Sequence, residues 1–142
     1  MKPEKFVMAR TPSGLVEVKA FHIWKEKVGG FTIPVALHVA PRDGNELMVS
    51  ELSTGFDTLA KVMRPGTNER LTVDKALKMP GKLVKRQGRT AFHHLLKKVG
   101  SLDFLQSITI ARVRVAQVGE ELSTEHLIES EASDEQNHSP IV

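Results

Sequence analysis

Lys82, Lys85, Arg86 and Arg89 are separated by three, one and three residues. Groups at i, i+3 and i+4 meet on one side of a helix, so a helical backbone lines these four cations along one stripe. In a loop, Gly81 and Gly88 would instead let the backbone approach a phosphate closely. Either geometry suits neutralisation of backbone phosphates with release of counterions. His93, Lys97 and Lys98 continue the positive run into the segment that follows. The expected nucleic-acid-binding residues are therefore Lys82, Lys85, Arg86, Arg89, His93, Lys97 and Lys98. From Lys61 to Lys98 the chain holds eleven Lys or Arg against Glu69 and Asp74, a net charge of +9. A solvated charged face is the plainest account of such a run, and an acidic protein surface is the alternative partner.

Other chemistry is harder to place. There is no cysteine, which removes thiolate metal sites, disulfides and a cysteine nucleophile. His93 and His94 are adjacent and project about 100° apart on a helix, so they cannot chelate one ion from the same face. No two histidines have i, i+4 spacing, and His22 and His38 fall on different expected strands. Structural or hydrogen-bonded histidine is the reading for each, with no metal site. Phosphate-loop, dinucleotide-binding, zinc-peptidase, nucleophile-elbow and calcium-loop patterns do not occur. No catalytic residue and no cofactor is assigned, and a binding protein is expected rather than an enzyme. The aromatic residues are six Phe, one Trp and no Tyr. Base-stacking platforms are thus few, with Trp24 or Phe21 available only if exposed. Sequence-nonspecific phosphate contact is the expected form of binding.

Charge is divided unevenly along the 142 residues. Residues 1–118 hold all 20 Lys and Arg against ten Asp and Glu, a net +10, whereas residues 119–142 hold seven acids and no base. The expected organisation is a compact α+β domain over 1–118, with a basic helical region at 61–98, and a flexible acidic tail over 119–142. Such a tail would gate the basic region by competing with an anionic ligand. Apolar runs are too short to span a membrane, and the first ten residues are too weakly apolar for a secretory signal. A soluble, cytoplasmic protein is expected.

The elements that must position the cations follow from periodicity. Phe6 to Ala9, Leu15 to Trp24, Val35 to Val39, Glu46 to Leu52 and Phe56 to Val62 read as strands. In the second run Val16, Val18, Ala20 and Trp24 share a face, while Phe21 and Ile23 interrupt the polar face opposite, so part of that face is expected to be covered too. Thr11-Pro-Ser-Gly, Gly29-Gly30, Asp43-Gly44 and Ser53-Thr-Gly mark the reversals, with Asp-Gly expected to supply positive φ to a short hairpin turn. Thr72 caps a short helix that runs to about Met79 and ends at Pro80-Gly81. A basic connector, Lys82 to Arg89, leads to Thr90 as N-cap of a helix over Ala91–Val99, with Gly100 just past its end. That helix is expected to pack Ala91, Phe92, Leu95, Leu96 and Val99, leaving His93, His94, Lys97 and Lys98 outward. Ser107 to Val118, rich in β-branched residues, reads as a final strand. The resulting fold is α+β: an antiparallel sheet of five or six strands, one or two helices inserted before the last strand, and an acidic C-terminal tail.

Overall fold

The computed structural model describes residues 5–118. Five strands come first: β1 (Lys5–Thr11), β2 (Gly14–Val28), β3 (Phe31–Val39), β4 (Leu47–Glu51) and β5 (Phe56–Asp57). They pair in sequence order, every neighbour antiparallel, which makes the sheet a meander. The sheet curls until the Arg10 N–H donates to the Gly55 carbonyl at 3.3 Å, bringing β1 against the turn before β5. Three helices follow: α1 (Val73–Ala76), α2 (Gly81–Val99) and α3 (Ser101–Val118).

Most of the expected reversals hold. Gly29 and Gly30, at φ 56° and 88°, join β2 to β3 in a two-residue turn that side chains rarely tolerate. The hairpin at Asp43-Gly44 forms too, but by a different route. Its loop closes through Ala40 N–H to the Glu46 carbonyl at 2.8 Å and Asn45 N–H to Asp43 Oδ1 at 3.0 Å, and Gly44 is not among the glycines with positive φ. The turn after β4 is built around Glu51, whose fully buried carboxylate accepts from the backbone N–H and the hydroxyl of both Ser53 and Thr54. Burial pushes its acidity toward the protonated form, and these four donors pull the other way.

A β-bulge overturns the expected facing of β2. Ala20 pairs with His38, but His22 pairs with the next residue back, Leu37, so one extra residue enters β2 at Phe21. The alternation changes phase there. Val18, Ala20 and Ile23 join Val7, Ala36 and Leu52 in the small apolar cluster inside the curl. Phe21, Trp24 and Val28 turn to the opposite face with Val35, Leu37 and Val49, where the helices cover them. Trp24 therefore does not share a face with Ala20. Phe21 and Ile23 are both covered, as expected, but they belong to two different cores on opposite faces.

The helices differ from expectation in three respects. α1 is capped by Thr72, whose hydroxyl accepts from Lys75 N–H, but it is only one turn long. The segment Lys82–Arg89 is not a connector, because α2 runs unbroken from Gly81 and places Thr90 in its interior. Pro80 occupies the N-cap, where its missing N–H costs no helical bond. Gly88 does not approach a ligand: a Cβ on it would lie 2.9 Å from Leu37 Cδ2, so the glycine lets α2 settle onto β3. The third difference is the largest. Ser107–Val118 is helix, so within the described residues both long helices follow the last strand. Phe104 and Ile108, one turn apart, enter the main core and fix this choice. Packing outweighs the weak strand preference of the β-branched residues. Ser107 and Thr109 return their hydroxyls to the carbonyls of Asp103 and Leu105, four residues back. Phe56–Val62 keeps its alternating burial but pairs only at Phe56 and Asp57, since Leu59 turns to φ 65°. The acidic segment 119–142 lies outside the described residues.

Candidate nucleic-acid interface

The bulge that reverses β2 also selects what lies beneath α2. His22, Trp24 and Glu26 project in a row toward the helix. Trp24 is held on three sides: His22 stacks on it at 5.0 Å between centroids, Phe92 meets it edge-on at 6.4 Å, and the Arg89 guanidinium lies 5.8 Å from its centroid. Its indole N–H donates to Glu26 Oε1 at 2.6 Å, and the other carboxylate oxygen accepts from His93 Nε2 at 2.6 Å. Trp24 and Phe21 are both buried, so neither offers a surface for base stacking.

Along α2 the polar and charged positions form two rows with a step of four residues. Lys85, Arg89, His93 and Lys97 make the row beside β2, and Arg86, Thr90, His94 and Lys98 make the row on the other flank. Lys82 stands at the head of the exposed surface. At 100° per residue, Lys82, Arg86, Arg89, His93 and Lys97 fall within an arc of about 80° and span about 22 Å of helix. Lys98 points about 160° from Lys82 and belongs to the second row alone. All seven candidate residues are thus on one helix. Lys85 and Gly88 sit closer to the sheet, and α2 contains no acidic residue. The packed side is as expected for Ala91, Phe92, Leu95 and Leu96, whereas Val99 is exposed.

The electrostatics at His22 report the density of this charge. Its pKa falls to about 4, first because of burial and then because Arg89, Lys85 and Lys5 oppose a further cation. His38 lies on the opposite face of the sheet and does not meet His22. Its Nδ1–H donates to the Val39 carbonyl at 2.9 Å and its Nε2 accepts from the Ser50 hydroxyl at 2.8 Å. Both side chains are fully buried, so this Ser–His contact is closed to a substrate and holds β3 to β4. Burial keeps the imidazole neutral. Among the described residues no three His, Asp or Glu come together in a way that could hold a metal ion.

Beside the second row runs a groove of about 460 Å³, between α2 and the segment 61–68. Its outer wall is a small hairpin in which Arg64 N–H donates to the Glu69 carbonyl at 2.8 Å and the Arg64 guanidinium pairs with the Glu69 carboxylate. Gln87 Nε2 ties that wall to the helix through the Met63 carbonyl at 2.8 Å. Neither this groove nor the row His22–Trp24–Glu26 was visible in the sequence. The groove depends on a loop fold with no periodic signal, and the row depends on a bulge.

The chain matches no protein-family model, no curated protein and no solved structure. No helix among the described residues is long and apolar enough to cross a membrane.

Proposed function

We propose that this protein is a non-enzymatic binder of nucleic acid or nucleoprotein, gripping phosphates along the exposed face of α2. The observation that carries the reading is the arc formed by Lys82, Arg86, Arg89, His93 and Lys97, with no acidic residue anywhere on the helix. Two members are anchored, Arg89 over Trp24 and His93 on Glu26, so the arc is held in one orientation. The location supports the reading as well. Lys82 sits in the first turn of the helix, where the macrodipole disfavours a cation by about 0.3–1 kcal/mol. A bound anion turns that penalty into attraction. The acidic segment beyond residue 118 is proposed to compete for the same arc.

Salt dependence tests the reading. Contact with about five phosphates gives a logarithmic salt slope near −4 to −5 on duplex DNA. Replacing Lys82, Arg86 and Lys97 by Ala spares the two anchored residues and should flatten the slope by up to about three units. An unchanged slope and affinity in the folded triple variant would falsify the assignment to α2. The alternative, docking on an acidic protein surface, predicts a partner that stays bound after nuclease treatment.

A further inference from the structure

The groove beside α2 has a different character from the arc of cations, and it adjoins it. Arg86, Thr90, His94 and Lys98 step along α2 one turn apart, and the middle two line the groove. Polar side chains face it from both walls: Asn68 from the hairpin, Thr90 and His94 from the helix. Lys61 adds positive charge from the hairpin side, while the Arg64 guanidinium is paired with Glu69. The walls are built before any ligand arrives, since Thr67 Oγ donates to the Arg64 carbonyl at 3.1 Å and receives Glu69 N–H at 3.1 Å. Gln87 then clamps this wall to the helix. A preformed cleft loses little on binding.

Resting on the reading of α2 as a phosphate-binding helix, we infer that this groove takes one splayed nucleotide of a single strand whose backbone runs along α2 between Arg86 and Lys98, about 18 Å apart on the axis. The volume falls within the range of small-ligand clefts. An amide and a hydroxyl offer the donors and acceptors that read a base edge, and an imidazole offers a ring on which a base can stack. Paired bases in a duplex are closed to such a cleft, whereas the phosphates of a duplex still reach the arc. The structure thereby separates two contributions: charge from the arc, shared by all nucleic acids, and shape from the groove, open to single strands only.

The test uses the full chain and two labelled probes, a 12-nucleotide oligoadenylate RNA and a 12-base-pair DNA duplex, compared by fluorescence anisotropy over a series of salt concentrations. Asn68→Ala removes the amide and Thr90→Leu fills the groove, both at exposed positions, with the melting temperature as a check on folding. Either variant should weaken the RNA by about tenfold and leave the duplex within about twofold, with the RNA salt slope unchanged. Equal losses on both probes, or no loss on the RNA, would overturn the groove. If the Lys82, Arg86 and Lys97 triple variant weakens both probes while the groove variants weaken neither, the groove fails and the arc stands. If the triple variant leaves both probes unaffected, the arc fails and the inference falls with it.

Discussion

His93 on α2 and Glu26 on β2 meet at 2.6 Å, sixty-seven residues apart in the chain, and the same carboxylate holds the Trp24 indole from its other oxygen. One acidic side chain thus fixes both the helix and the buried aromatic under it. The two bonds differ in weight. The indole N–H is buried, so losing its acceptor leaves a donor unsatisfied, while the His93 ring is half exposed.

Glu26→Ala should therefore lower unfolding stability by about 1–3 kcal/mol. His93→Ala, which keeps the indole bond, should cost about 0.2–1 kcal/mol. Urea denaturation of both variants and of the pair decides the matter. A larger loss from His93→Ala would mean the carboxylate is not held through Trp24.

At Gly88 two effects compete. Alanine raises helix propensity by about 1 kcal/mol. Its Cβ would also lie 2.9 Å from Leu37 Cδ2 and 3.3 Å from Leu37 Cβ, and Leu37 is fully buried. Overpacking of this kind costs about 1–3 kcal/mol, so Gly88→Ala should be destabilising on balance. Thermal melts provide the measurement, and a raised melting temperature would show that α2 does not press on β3.

Acid should weaken the fold through its histidines. An unfolded histidine takes up a proton near its ordinary value of 6.5, whereas His22 in the folded chain waits until about 4. Between these values the unfolded chain binds more protons, so stability falls as pH falls through that window. His38 acts in the same direction. Glu51 opposes them: its raised value makes the folded chain the more protonated state above 4.5, so its contribution is lost as pH rises. His22→Gln isolates one term, and its stability should vary less between pH 6.5 and 4 than that of the native chain. An NMR titration of the His22 ring with a midpoint near 6.5 would show that neither burial nor the neighbouring cations act on it.

Removing residues 119–142 raises the formal net charge from +3 to +10. Competition by those seven acids predicts tighter nucleic-acid binding after truncation, with the gain largest at low ionic strength, since the Debye length is only ~8 Å at physiological salt. A chain carrying a scrambled segment of the same composition separates charge from order. If neither native nor scrambled segment inhibits, there is no gate.

Local punctuation was legible in the sequence, and long-range packing was not. Gly29-Gly30, Thr72 and Gly100 each act where their backbone chemistry indicates, at a tight turn, a cap and a helix end. That the seven candidate residues lie close together was legible because charge spacing survives whether Lys82–Arg89 is helix or loop. The facing of Trp24 was lost because one bulged residue at Phe21 reverses every position after it. The helical state of Ser107–Val118 was lost because Phe104 and Ile108 decide it by packing, and neither their partner Phe92 nor the 5.5 Å edge-on contact of Phe104 with that ring is a property of the segment itself.

The order of the elements has a consequence for synthesis. All five strands precede the two long helices, and each strand pairs only with its neighbours in the chain. The sheet can therefore assemble while the ribosome is still making its cover. Translation from Asp57 to Ile108 takes about 3–10 s at ordinary elongation speeds. Throughout that interval the face bearing Trp24, Val35 and Leu37 has no helix to close over it. The nascent protein is thus most open to capture by a chaperone after its sheet is made and before α2 is released, and slowing translation through codons 58–108 lengthens that exposure.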